Sequence, residues 1–191
     1  MALTDLIIGV YSRFRLWRLR RAGLTIAADC RMAHFPDFGS EPYLVTIGNR
    51  VGFAGNVTFI THDGGTHVFR HLDRYKHVIK YGRITILDNS VIGEGVIILP
   101  GVTIGPNSVV AAGSVISRNV PPGWVVSGNP AKPVMTVHQY AEWSLAATPD
   151  YDHEQYRINK REFLMKFKMR GSPSNLPQQG EGDAASDTIP D

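Results

Sequence analysis

His62 is the side chain in this sequence best suited to moving a proton. It stands in the run VTFITHDGGT, Val57 to Thr66, next to Asp63. Imidazole changes charge between about pH 5 and 8, so it can accept a proton near neutrality. His67 follows five positions later, His71 and His77 lie beyond it, and His34 and Glu41 lie upstream. Two chemistries are open to such a set. One is general-base catalysis, worth roughly a hundredfold to ten-thousandfold in rate. The other is zinc ligation through His62, His67 and His34, which needs three converging protein ligands. A histidine at a structural corner and histidines in a solvated loop are the plainer alternatives. Asp63 adjoins His62, but neighbouring side chains in extended chain point to opposite faces. The spacing therefore does not bring Asp63 onto the His62 ring within one chain.

The elements that must hold these residues are marked by a six-residue beat. An aliphatic residue returns at Ile86, Ile92, Ile98, Ile104, Val110 and Ile116, and an earlier run keeps the same step at Ile47, Phe53 and Phe59. A period of six is neither helical nor that of a flat strand; it marks a parallel β-helix of hexapeptides. Three hexapeptides make one triangular coil, with the aliphatic residues stacked inside the prism. The corners need left-handed backbone, which suits Asn49, Asn89, Asn107 and the many glycines. The beat fails at His34–Pro42 and again over 63–83. A long interruption within a compact repeat marks a functional or a disordered loop. Its histidines, arginines and aromatics favour function.

The expected fold class is all-β with helical appendages. Residues 1–23 form an N-terminal amphipathic helix, with Leu3, Leu6, Ile7, Val10, Tyr11, Phe14 and Trp17 on one apolar face and five arginines along or beyond it. That face packs on its own domain or a neighbouring subunit, or it lies on an anionic membrane. Residues 24–135 form the β-helix with an ejected loop at 63–83. Residues 136–170 form helices, expected at 136–146 and 150–169, which with the first helix cover the open strand edges. Residues 171–191 are an acidic, disordered tail.

Composition narrows the function. The net charge of +3 includes Glu181, Asp183, Asp187 and Asp191 in a tail without Lys or Arg, so the remainder carries 20 minus 13, or +7. A basic body suits an anionic ligand or a membrane surface. Cys30 is the sole cysteine, so no intrachain disulfide forms, as expected of a cytoplasmic protein; a buried thiol is its expected role. No stretch approaches the roughly 20 apolar residues of a bilayer span, and no signal-peptide core precedes the arginines. No basic-aromatic patch or known module points to nucleic acid.

With these motifs in place, the chain resembles the hexapeptide-repeat acyltransferases over residues 24–135. The resemblance rests most on NSVIGEGVIILPGVTIGPNSVVAAGSVISRNVPPGWVVSGNPAK, Asn89 to Lys132, with its Pro-Pro corner and Asn-Pro-Ala-Lys ending. It implies a left-handed β-helix, a homotrimer with active sites between subunits, and acetyl-CoA as co-substrate lying along the C-terminal coils. The phrase around His62 looks like that of O-acetyltransferases acting on sugars or surface-polysaccharide precursors. The resemblance makes His62 the general base, acting in a ternary complex. It places Gly95 and Ala112 beside the pantetheine arm, and Ser117, Arg118 and Lys132 at the phosphates and adenosine. Trp124 packs beside the cofactor or caps the last coil. Asp63, Glu41 and His34 fall near the acceptor. Glu94 stands where relatives often carry serine. No metal is expected. The cytoplasm is the expected location, with peripheral contact at the inner membrane face left open. Two other readings stay open: a metal β-helix like the γ-class carbonic anhydrases, and a non-catalytic scaffold.

Overall fold

Short hydrophobic steps separated by turns produce very short strands, and the structure, a computed structural model, has thirteen of them among the described residues. It describes residues 3–168, with side chains from Ser12. The acidic tail expected at 171–191 lies outside the described residues. The chain divides into two compact units at Val134–Met135.

The first unit is a left-handed parallel β-helix with three flat faces. One face stacks β1 (Thr25–Ile26), β3 (Val45–Ile47), β6 (Ile84–Ile86) and β9 (Thr103–Ile104). The second contains β2 (Arg31–Met32), β4 (Gly52–Phe53), β7 (Val91–Ile92), β10 (Val109–Val110), β12 (Trp124–Gly128) and β13 (Ala131–Thr136). The third stacks β5 (Thr58–Phe59), β8 (Ile97–Ile98) and β11 (Val115–Ile116). The pairs with recorded register are all parallel, and Ile92 faces Val110 while Ile98 faces Ile116, 18 positions on. That offset is three hexapeptides, one full coil. Across the 63–83 interruption, Phe59 faces Ile98, an offset of 39. The difference, 39 minus 18, is 21 residues expelled from the stack.

The six-residue beat is the core. Ile86, Ile92, Ile98 and Ile104 are 0% exposed, Val110 and Ile116 1%, and Ile47, Phe53 and Phe59 no more than 3%. Each such side chain contributes about 1.5–3 kcal/mol by leaving water. Buried polar groups are satisfied between coils. Ser90 Oγ donates to Gly105 O (2.9 Å), Ser108 Oγ donates to Pro121 O (3.0 Å), and Gly128 N–H donates to Ser114 Oγ (3.1 Å). At the corners, Asn89 (φ 56°) and Asn107 (φ 55°) are left-handed and linked, Asn89 Nδ2 donating to Asn107 Oδ1 at 2.7 Å. Asn49 departs from expectation: the left-handed residue there is Arg50 (φ 53°). Asn49 instead donates through its backbone N–H and its amide to the Asp88 carboxylate one coil on.

Before the prism runs α1 (Leu3–Arg21). Leu16 and Leu19 pack on the β-helix core, while Phe14 and Trp17, members of the expected apolar face, are 54% and 52% exposed. No described helix is long and apolar enough to cross a membrane.

The second unit holds α2 (Val137–Ala147), α3 (His153–Ile158) and α4 (Lys160–Lys166). A capping box starts α2: Gln139 N–H donates to Thr136 Oγ1, and Thr136 N–H donates to Gln139 Oε1. The single helical stretch expected over 150–169 is broken at Asn159 (φ −133°, ψ 64°), whose side chain accepts from Glu162 N–H and starts α4.

Candidate functional site

The two places where the beat fails meet at one point of the fold. After β2 the chain runs alongside β5. Asp37 N–H donates to Val57 O, and Phe59 N–H donates to Asp37 O at 2.8 Å. Phe38, 2% exposed, stacks on Phe59 with ring centroids 5.0 Å apart. Gly39 then turns the chain with φ +66°, and a Cβ there would stand 2.9 Å from Phe59 O, so a side chain is excluded twice over. The turn delivers Glu41, and Pro42, buried, opens the 3-10 turn Pro42–Leu44 behind it.

Glu41 arrives beside the end of the β5 coil. Its Oε2 lies 3.0 Å from His62 Nδ1 and also accepts from Thr61 Oγ1, a hydroxyl on a residue 1% exposed. The hydrogen bond from Thr61, then that from His62, holds the Glu41 carboxyl below its ordinary range against the opposing effect of burial. Glu41 is therefore ionised at neutral pH and can only accept. The proton of a neutral His62 ring then belongs on Nδ1, leaving the Nε2 lone pair available. The His62 side chain is 43% exposed and that of Glu41 13%. The arrangement is a partly exposed imidazole backed by a mostly buried carboxylate.

The ejected loop is rooted at the same place. His62 bridges antiparallel to Tyr81, Asp63 N–H donates to Lys80 O, and Gly82 N–H donates to Thr61 O. The Tyr81 ring lies 5.4 Å from the His62 ring. Gly82 is required because a Cβ would meet Gly101 N at 2.2 Å on the next coil. Asp63 makes its hydrogen bonds elsewhere. Lys80 Nζ donates to its Oδ2 at 2.7 Å, and Gly65 N–H donates to its Oδ1 at 2.9 Å, starting the 3-10 turn Gly64–Phe69. These bonds, Lys80 first, hold the Asp63 carboxyl below its usual range. Glu41, rather than the adjacent Asp63, is the carboxylate on the His62 ring.

His34 is exposed on the bend after β2, and His67, His71 and His77 are exposed along the loop. No group of three or more His, Cys, Asp or Glu side chains suited to a metal ion occurs among the described residues. Cys30 is partly buried and donates to Gly48 O, and burial raises its thiol pKa. Such a thiol is a poor nucleophile.

Farther along the prism, Gly95 (φ +66°) sits at a corner where an added Cβ would touch nothing within 4 Å. Ala112 is exposed at the corner one coil on, and Ser117, Arg118 and Lys132 are exposed beyond it. Trp124 packs partly buried against the core. Glu94 has a structural use: its carboxylate accepts from Gly55 N–H and from Asn56 Nδ2 (2.7 Å), holding the preceding corner. A Cβ on Gly55 would collide with that carboxylate at 2.5 Å.

The chain is similar to several known proteins. Residues 83–118 match the model of the bacterial transferase hexapeptide (six repeats). Protein CapG of Staphylococcus aureus is 42% identical over 154 residues, 79% of this chain and 88% of its own length. A putative acetyltransferase of Schizosaccharomyces pombe is 43% identical over 95 residues, 49% of this chain but only 44% of its own length. The crystal structure of a maltose O-acetyltransferase from Clostridium difficile 630 superposes with a TM-score of 0.48 at 26% identity, covering 62% of this chain and 72% of that one.

Proposed function

Since this chain belongs to the hexapeptide-repeat acyltransferases, we propose that it transfers an acetyl group from acetyl-CoA to a hydroxyl of a sugar, sugar nucleotide or surface-polysaccharide precursor, with His62 as general base. The observation that carries this reading is the Glu41–Thr61–His62 cluster, which leaves Nε2 of the partly exposed His62 ring as the acceptor at the root of the loop. In the proposed step Nε2 takes the acceptor hydroxyl proton as that oxygen attacks the thioester carbonyl carbon. The tetrahedral intermediate then collapses, the C–S bond breaks, and the imidazolium returns the proton to the leaving thiolate. Glu41 holds the ring in the required tautomer and offsets the charge that forms on it. No covalent enzyme intermediate is needed, so positioning two substrates together supplies much of the acceleration.

The donor is proposed to lie along the C-terminal corners. Gly95 and Ala112 leave room for the pantetheine arm, while Ser117, Arg118 and Lys132 meet the phosphates and adenosine. The open corner at Gly95 and the exposed basic side chains support that path, and arginine pairs well with phosphate. Asp63 and His34 are proposed on the acceptor side. The active unit is proposed to be a homotrimer with sites between subunits; Val68, Leu72 and Ile79 on the loop, 75%, 47% and 69% exposed, are suitable contacts.

Incubation with acetyl-labelled CoA and a panel of sugars, nucleotide sugars and glycans tests the reaction. The expected product is an alkali-labile ester on one acceptor. An alkali-stable amide would change the acceptor class to an amino sugar. No transfer together with no donor binding would remove the reading.

A further inference from the structure

The outward face of α1 takes no part in the proposed chemistry. Its inner side is anchored: Leu16 and Leu19 pack on the β-helix core, and Arg20 Nη2 donates to Ile26 O at 3.0 Å. Its outer side exposes Phe14 and Trp17, stacked with centroids 5.8 Å apart and planes at 23°. Arg13, Arg18 and Arg21 are exposed on the same helix, and the Arg21 guanidinium lies 5.2 Å from the Trp17 ring centroid. In the sequence, spacing by threes and fours continues back from Phe14 through Val10, Ile7, Leu6 and Leu3. No Asp or Glu occurs between Asp5 and Asp29, while five arginines crowd positions 13–21.

Exposed aromatics gain little from water, and arginines without acidic partners repel one another. Both conditions are relieved at a lipid interface, where aromatic rings sit at headgroup level and arginines meet anionic headgroups. We propose that the Phe14–Trp17 face of α1 docks on an anionic lipid bilayer. A second copy of the chain is the poorer occupant, because a two-fold pairing of this face sets like charges against each other. Since Leu16 and Leu19 hold the helix to the core, docking brings the N-terminal end of the prism to the bilayer. The inference does not depend on the identity of the acyl-transfer reaction.

Co-sedimentation of the full chain with vesicles tests it, comparing mixed phosphatidylglycerol and phosphatidylcholine with phosphatidylcholine alone. Binding is expected only to the mixed vesicles and should fall at about 1 M salt, where the Debye length is about 3 Å. A triple Arg13→Gln, Arg18→Gln, Arg21→Gln variant should bind about a hundredfold more weakly, at roughly fivefold per arginine. Phe14→Ser with Trp17→Ser should lose at least tenfold. Arg157→Gln with Lys160→Gln, exposed in the second unit, should bind as the parent does. Thermal melts of all variants establish that they are folded; the exposed arginine set provides the test if the aromatic pair unfolds. Failure of the parent to bind the mixed vesicles overturns the proposal. So does unchanged binding by a folded arginine or aromatic variant, or lipid-free self-association that these substitutions abolish.

Discussion

Replacing His62 with asparagine is expected to lower kcat for acetyl transfer by roughly a hundredfold to ten-thousandfold, the usual worth of a positioned general base. The fold should survive. His62 is 43% exposed and lies outside the buried ladder, and losing its hydrogen bond to the Glu41 carboxylate is expected to cost about 1–3 kcal/mol, less than the stability of a typical domain. Binding of acetyl-CoA should be nearly unchanged, because in the proposed step His62 acts on the acceptor proton. The pH profile sharpens the expectation. Protonation of Nε2 removes the lone pair, so the parent enzyme is expected to slow in acid, and the asparagine variant to lose that dependence. Glu41 does not supply it. Its carboxyl pKa is depressed in the folded state, so its contribution to stability is present above the ordinary carboxylate range and is lost only as pH falls through the lowered value. Initial rates across pH, with calorimetric binding of donor, measure both effects.

Phe59→Ala is expected to destabilise the protein by about 3–5 kcal/mol, in the range of large-to-small substitutions at fully buried aromatic positions. Phe59 is 1% exposed, stacks on Phe38 and lies 6.1 Å from the Phe53 ring. Its backbone also carries the bond to Asp37 that guides the chain toward Glu41. The cavity thus opens beneath the segment that delivers the carboxylate, two residues before Thr61. A drop in the denaturant midpoint at constant m-value is the measurement. A midpoint shift equivalent to less than about 1 kcal/mol would mean that the Phe38–Phe59 stack does not hold the interrupted coil in place.

The prism was legible because its packing is local and periodic. A stacked coil buries one side chain every sixth position, a step that neither an α-helix nor a flat strand imposes. The 39-position register between Phe59 and Ile98 falls across the stretch where the beat is missing. The Glu41–His62 pair was not legible. The two residues are 21 positions apart, and their contact depends on the left-handed bend at Gly39 and on the backbone pairing of Asp37 with β5. Those are tertiary facts that no spacing encodes. Glu41 was expected near the acceptor only through family resemblance; its bond to the imidazole is new from the structure. The first helix shows a different limit. Periodicity finds an apolar stripe but does not say which way it faces, and here Leu16 and Leu19 took the core. Arg50 holds a corner for which Asn49 looked the better residue, because Asn49 is engaged by Asp88.

In the proposed mechanism Glu41 and His62 act as one unit on one proton. A double-substitution cycle on kcat, with Glu41→Gln, His62→Asn and the pair together, tests it most directly. With the base absent, the carboxylate has no ring to orient, so the double variant should be no slower than His62→Asn alone, although Glu41→Gln by itself slows the enzyme. Losses that multiply, giving a double variant slower than His62→Asn by the full Glu41→Gln factor, would contradict it.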